Sequence, residues 1–470
     1  ALMSFAVAAI REHPATHIFG LDAAGGRLSL LTQLPNTGDV VPTDDKDRTT
    51  RLLGMLTRLV AERGSTPSKS QPPVLLLVDG FAAFRDTYGH LGGGTNPFQH
   101  LVEIARAGRN VGVHVVFASE RAANFPAALA ASIPERLSLT LTAESDYQLL
   151  GIPTSALEDA PPGRAIRIGT DEELHIAVPG AGNDPSDLDA AIEALAQSQR
   201  RAGFEQVPGV PEIPSRVSRS ALAGTGSPAA FALETVDLQP IEVPERGMLL
   251  VTGPAGSGRS TAIASLISAM TDRARDQHQR LNAVLLSPRR STLRDLEFWD
   301  TIADSPAIRD QEIERITLAL GGTSKASAGL TFLPLIGGPA PGADVAAAEP
   351  APAESSPFPA PGAQGVVVIE DIGGFDGTGN EAALAALLKL LRRSDHTVII
   401  EGENATLSSV WELAAPLRGA RWAIALQPDA NDTPSLFTTP FTHAKRAAFP
   451  PGRGFLVRNG TLTGIHVAQA

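Results

Sequence analysis

Short apolar runs recur along the chain, separated by stretches with helical periodicity. The first half carries Val74-Leu75-Leu76-Leu77-Val78, Val113-His114-Val115-Val116-Phe117 and Leu137-Ser138-Leu139-Thr140-Leu141. The second half carries Met248-Leu249-Leu250-Val251, Ala283-Val284-Leu285-Leu286, Val366-Val367-Val368-Ile369 and Val398-Ile399-Ile400. Runs this short and this rich in branched residues predict strands buried on both faces. Helical stretches between them, such as 381–393, complete the alternation expected of α/β architecture with mostly parallel sheets flanked by helices.

The two halves share landmarks. The run ending at Asp79 continues Gly80-Phe81-Ala82-Ala83-Phe84, and the run ending at Glu370 continues Asp371-Ile372-Gly373-Gly374-Phe375. Later come Pro161-Pro162-Gly163-Arg164 and Pro450-Pro451-Gly452-Arg453. Asp79 to Arg164 spans 85 positions and Glu370 to Arg453 spans 83. Chance likeness between Pro/Gly turns is the competing explanation, but two unrelated signals at nearly one spacing favour a duplicated domain. The expected domains are 1–205 and 228–470, joined by a Pro/Gly/Ser-rich linker at 206–227. A second Pro/Ala/Gly/Ser stretch, about 339–364, is too poor in bulky apolar residues to fold alone, and is expected as a disordered insertion inside the second domain.

Composition narrows the class. At 470 residues, two domains with full cores are the default, and 43% hydrophobic residues with mean hydropathy +0.02 fit a globular chain. No apolar run approaches the roughly 18–20 residues of a membrane span. Zero cysteines exclude disulfides and Cys-ligated metals. The net charge of -12 weighs against strong binding to a nucleic-acid backbone.

The sharpest motif follows Met248–Val251: Thr252-Gly253-Pro254-Ala255-Gly256-Ser257-Gly258-Arg259-Ser260-Thr261, then an apolar helix. This strand–loop–helix context fits the phosphate loop G-x-x-x-x-G-K-[ST], so Gly253 to Thr261 are the candidate ATP-binding residues. Glycines let backbone N–H groups curl around phosphates, and the helix start adds a favourable dipole. Ser260 would hold Mg²⁺ through its hydroxyl. Arg259 replaces the usual Lys, and its forked guanidinium cannot sit as Lys does between β- and γ-phosphates. The first half has no such loop. If residues 18–22 correspond to 284–287 and helix 1–10 to the helix after Ser260, that domain's loop would end just before residue 1.

A core strand in a P-loop motor ends in an acid that supports Mg²⁺, and a following acid activates water. Asp79 fits the first role in domain 1, where Gly80 leaves the second empty. In domain 2 the pair is Glu370-Asp371, the usual order reversed; Glu370 would support Mg²⁺. The next strands end Ala118-Ser119-Glu120-Arg121 and Ile400-Glu401-Gly402-Glu403, where a polar residue could sense a γ-phosphate. Arg136 and Arg421 each open a later strand. They are candidates for a contact to a neighbouring subunit's phosphate, against the alternative of local surface pairing.

Several segments together resemble the FtsK/SpoIIIE family of tandem RecA-like P-loop NTPase domains. Arg106-Ala107-Gly108-Arg109-Asn110-Val111-Gly112-Val113-His114-Val115-Val116-Phe117-Ala118-Ser119-Glu120-Arg121 resembles that family's RxxGIHLILATQR segment. Ile133-Pro134-Glu135-Arg136-Leu137 resembles IPTRI. Phe19–Asp22 with Leu34-Pro35-Asn36-Thr37-Gly38-Asp39-Val40, together with Ser287-Pro288-Arg289-Arg290-Ser291 and the two PPGR turns, is similar to EccC-type ATPases of type VII secretion. The resemblance implies ATP and Mg²⁺ as cofactors and self-association into a hexameric ring. It further implies tethering to the cytoplasmic face of a membrane through segments outside this sequence, and secreted helical proteins as partners. Gly80 and Arg259 depart from an active motor and point to degenerate regulatory or substrate-docking domains. A DNA translocase and a nucleotide-binding regulatory module without hydrolysis are the alternatives.

Overall fold

The computed structural model describes residues 1–66, 71–89, 96–170, 172–180, 182, 184–323, 357–360, 362–409, 413, 416–417, 420–432, 439–441 and 444–469. Most of the expected insertion at 339–364 lies outside these residues. At its far end, Phe358 is buried among core residues, and a strand already begins at Ala363. The chain divides into two compact units, Ala1–Ile213 and Pro214–Ala470.

The first unit contains β1 (His17–Asp22), β2 (Thr37–Pro42), β3 (Val74–Asp79), β4 (Val113–Phe117), β5 (Leu137–Ser138), β6 (Arg164–Arg167) and β7 (Glu173–His175). Four of these form a parallel sheet in the order β2-β1-β3-β4, while β5-β6-β7 form a separate antiparallel sheet. In β3, Val74, Leu76 and Val78 join one apolar core and Leu75 and Leu77 another, because successive side chains leave opposite faces of a strand. The helices Lys46–Ser65 and Pro97–Ala107 close the first of these cores. Asp45 caps the former by accepting from Arg48 N at 3.0 Å, satisfying one of the free donors of its first turn.

The second unit adds β8 (Ala230–Glu234), β9 (Pro240–Glu242), β10 (Gly247–Thr252), β11 (Arg280–Leu286), β12 (Thr301–Ala303), β13 (Ala363–Ile369), β14 (Thr397–Gly402), β15 (Trp422–Leu426), β16 (Arg453–Arg458) and β17 (Thr461–Val467). These form one ten-stranded sheet, β12-β11-β13-β14-β10-β15-β16-β17-β8-β9. It is parallel from β12 to β15 and antiparallel from there to β9. Here too alternate residues feed two cores: Leu250, Val367 and Ile400 on one face, Leu249, Val368 and Ile399 on the other. Burying each such side chain contributes about 1.5–3 kcal/mol.

The register aligns the repeats. Asp22 pairs with Asp79 and Val78 with Phe117; Leu286 pairs with Ile369 and Ile369 with Ile400. Asp79 thus corresponds to Glu370, Asp22 to Ser287 and Ala118 to Glu401. The order β2-β1-β3-β4 then matches β12-β11-β13-β14, and β5-β6-β7 matches β15-β16-β17. Among the described residues of the first unit nothing occupies the place of β10, and its sheet is in two pieces at that point.

The stretch expected as a linker is packed. Val207 N donates to Pro35 O at 2.8 Å, and Val207 and Val210 are buried in the first unit's core. Val217 and Leu222 are buried in a small cluster of the second unit with Ala230 and Ala468.

Candidate nucleotide-binding site

The candidate loop runs from the end of β10 into the helix Arg259–Asp276. Two glycines there are required by geometry. A side chain on Gly253 would meet Leu426 O at 2.7 Å, and Gly258 has φ +99° with Gly452 N 3.1 Å from where its Cβ would stand. L-residues pay for both the left-handed backbone and the contact. The second PPGR turn braces the loop, since Gly452 N donates to Ser257 O at 2.8 Å. Ser257 is fully buried, and its Oγ has no hydrogen-bond partner among the described residues. Pro254 is half-buried, and Ala255 and Gly256 face solvent. Ser260 sits half-buried on the first helical turn, beside the exposed Thr261.

Arg259 is turned onto an acid. Its Nε lies 2.9 Å from Glu401 Oε1 and its Nη2 lies 3.6 Å from Glu403 Oε1. Glu401 is 1% exposed and belongs to β14, the strand between β10 and β13. Its Oε2 accepts from Asp371 N at 2.7 Å. Burial pushes the Glu401 carboxyl above its ordinary range. Arg259, the Asp371 amide and Arg289 pull it back, and Glu370 pushes it up again.

Glu370 follows β13 and is fully buried. Its Oε2 accepts from Ser287 Oγ at 2.7 Å and Ser291 Oγ at 2.8 Å, while Oε1 accepts no hydrogen bond among the described residues. Asp371 follows in a left-handed conformation, φ 49°, which a short polar side chain tolerates. Arg289, on the loop after β11, reaches Glu370 at 3.5 Å, Asp371 at 3.9 Å and Glu401 at 3.6 Å.

These residues fit a nucleotide in part. The glycine loop and the helix start offer a phosphate cradle. Ser260 and Glu370 Oε1, which accepts no hydrogen bond among the described residues but lies 3.5 Å from Arg289 Nη2, are oxygen donors suited to Mg²⁺ or its water shell. The side chain at 259 does not fit, because its cation is already held by a carboxylate.

The other candidates lie elsewhere. Asp79 is half-buried in the first unit; burial, then the charge of Asp22, raises its pKa. Gly80 beside it has φ +67°, the same backbone turn as Asp371. Arg136 binds the local carbonyls of Ile133 and Ala130. Arg421 is exposed just before β15, and among the described residues its guanidinium meets no acid. Arg121 pairs with the buried Asp146 at 3.1 Å. Glu401 stands at the strand end where a phosphate sensor was expected, whereas Arg289 lies outside the residues expected at the site.

Comparison with solved structures decides the fold. Thermomonospora curvata EccC (ATPases 2 and 3), solved in complex with a signal sequence peptide, aligns over 97% of this chain and 82% of its own, with a TM-score of 0.73 at 19% identity. EssC (ATPases 2 and 3) from Geobacillus thermodenitrificans aligns over 99% and 88%, with a TM-score of 0.59 at 16% identity. This chain has the fold of the tandem EccC and EssC ATPase domains. Sequence relatives agree with that EccC-type fold. ESX-3 secretion system protein EccC3 of Mycobacterium tuberculosis is 24% identical over 297 residues, covering 58% of this chain and 22% of the relative. ESX-4 secretion system protein EccC4 of the same species is 27% identical over 289 residues, covering 56% and 22%. The chain therefore spans about a fifth of the length of these curated relatives. No family model matches it.

Proposed function

We propose that this chain is a pair of degenerate ATPase domains of a type VII secretion motor, in which the second unit binds ATP–Mg²⁺ weakly and hydrolyses it slowly or not at all. The observation that carries this is the pairing of Arg259 with the buried Glu401 beside a well-formed glycine loop. The loop and the helix start would take the phosphates, and Ser260 and Glu370 would hold Mg²⁺, which when bound screens phosphate charge. Asp371 is the remaining acid able to accept a proton from water. The left-handed turn and Arg289 bias its side chain, and Asp is shorter than the usual Glu.

A secreted helical protein is the proposed macromolecular partner. The EccC relative solved with a signal sequence peptide supports this. Assembly into a ring and a tether to the cytoplasmic face of the membrane belong to the same proposal. Among the described residues no helix is long and apolar enough to cross a membrane, so the tether would come from other segments. DNA translocation is disfavoured by the net charge of -12.

Titration of the 470-residue chain with a fluorescent ATP analogue tests the nucleotide reading. Saturable binding lost in Gly258→Val is expected. No binding up to millimolar ligand, or binding indifferent to Gly258→Val, contradicts it. Capture of small helical secreted proteins, alongside a gel shift with duplex DNA at low salt, tests the partner. Salt-sensitive DNA binding without peptide capture would favour the translocase.

A further inference from the structure

Glu401 has no part in the nucleotide chemistry set out above, yet it gathers three separate groups while almost wholly buried. One oxygen meets Arg259 Nε at 2.9 Å. The other accepts from Asp371 N at 2.7 Å and lies 3.6 Å from Arg289 Nη2. A single carboxylate thus touches the phosphate-loop cation, the acidic turn after β13 and the loop after β11. Glu403 adds a second acid to Arg259. Around the two arginines stand Glu370, Asp371, Glu401 and Glu403, so acid is in excess. A phosphate arriving here takes Arg259 from a carboxylate, where in an ordinary loop it would take a cation from water. The first unit has Ala118 at the corresponding position and carries no such contact.

We infer that Glu401 is a built-in competitor of the nucleotide's terminal phosphates, a positioning residue that holds Arg259 against the end of β14 until a nucleoside triphosphate displaces it. The inference rests on the reading of the second unit as a nucleotide site and adds its regulation. Carboxylate and phosphate offer a guanidinium the same kind of paired acceptor, so one can stand in for the other. When Arg259 leaves, Glu401 keeps the Asp371 amide. Arg289, 42% exposed, keeps its pairing with Glu401. The competition lowers apparent affinity by the fraction of molecules in which Arg259 is released. It acts on the β- and γ-phosphates and not on the base or ribose.

The test is calorimetric titration of the 470-residue chain with ATP, ADP and adenosine in Mg²⁺. The proteins are wild type, E401Q, E401D, R259Q and the double variant E401Q/R259Q, each checked by thermal melting. Gln keeps an oxygen for the Asp371 amide while removing the charge. E401Q should tighten ATP about tenfold, the low end of the coupling between a close charge pair. ADP should gain less, adenosine should not change, and E401Q/R259Q should lose the gain. E401D should move ATP in the same direction by less, and it carries the comparison if E401Q does not fold. ATP affinity unchanged or weaker in folded variants, with wild type still binding, overturns the competitor and leaves the nucleotide reading standing. An equal gain for adenosine, or a gain surviving in E401Q/R259Q, overturns it as well. Absence of nucleotide binding in every protein overturns both.

Discussion

The two units carry one repeat, and they differ at the place where a nucleotide would bind. In the second unit β10 lies between β14 and β15 and joins all ten strands into one sheet. Among the described residues of the first unit that place holds no strand, and the sheet is in two pieces. The side chains diverge at the same point. Glu370 faces serine hydroxyls from Ser287 and Ser291, whereas Asp79 faces Asp22. Glu401 answers to Ala118, and Asp371 to Gly80. One unit carries a candidate phosphate loop whose arginine is engaged by an acid; the described residues of the other carry the counterparts of the strands around it. The strand that carries the loop is thus also the strand that joins the two halves of the sheet.

The shared PPGR turn should separate the two units most sharply. Gly163 and Gly452 have φ +89° and +82°. Valine at either should cost about 2 kcal/mol, from the left-handed backbone and the branched side chain. Only Gly452→Val should also abolish ATP-analogue binding, because Gly452 N braces Ser257 O. Melting and titration of both variants check this, and equal loss of nucleotide from both would break the correspondence. Next in size is Arg259→Lys. A Lys lacks the fork that meets Glu401 and Glu403 together, so ATP should bind severalfold more tightly, read by the same titration.

Smaller effects separate the acids. Burial and Asp22 raise the pKa of Asp79 above its unfolded value. Its ionised form therefore disfavours the fold above the folded pKa, and that cost vanishes below the unfolded one. Asp79→Asn should raise the melting temperature of the first unit by about 1–2 °C at neutral pH, with the gain gone below about pH 4. Glu370→Gln should give no gain, since Arg289 and two serines already serve that carboxylate. The smallest effect is alkaline. Burial pushes the Tyr88 hydroxyl up to about 12, and it donates to Thr43 O at 2.6 Å. Its stabilisation is complete below pH 10 and lost as pH rises from about 10 to 12. Tyr88→Phe should cost about 1 kcal/mol at neutral pH and remove that dependence. Both tyrosines of the chain lie in the first unit, so the second should not show it.

The strands were legible because their runs are apolar on both faces. The run 137–141 is the instructive departure. Five residues were expected, and only Leu137–Ser138 form a strand. Its counterpart β15 has five, paired on one side by β10 and on the other by β16. Among the described residues β5 is paired by β6 alone, and residue pattern does not report on how many sides a strand is paired. Residues 207–227 look like linker by composition, yet Val207, Val210, Val217 and Leu222 are buried, because isolated apolar residues among prolines can dock on cores built elsewhere. The candidate loop after β10 was legible as a motif, but the partner of its arginine was not. Glu401 lies 142 positions after Arg259 and reaches it only because β14 sits between β13 and β10, an order that differs from the order along the chain.

Phosphate release by the 470-residue chain at saturating ATP–Mg²⁺ separates a nucleotide site without motor turnover from a working motor. Enzymes of ordinary speed turn over at about 1–10³ per second, and a poorly placed catalytic acid removes about 10²–10⁴ of that rate. Release below about 0.1 per second, little altered by Asp371→Ala, is expected. Steady release above about 1 per second, abolished by Asp371→Ala, would instead mark a working motor.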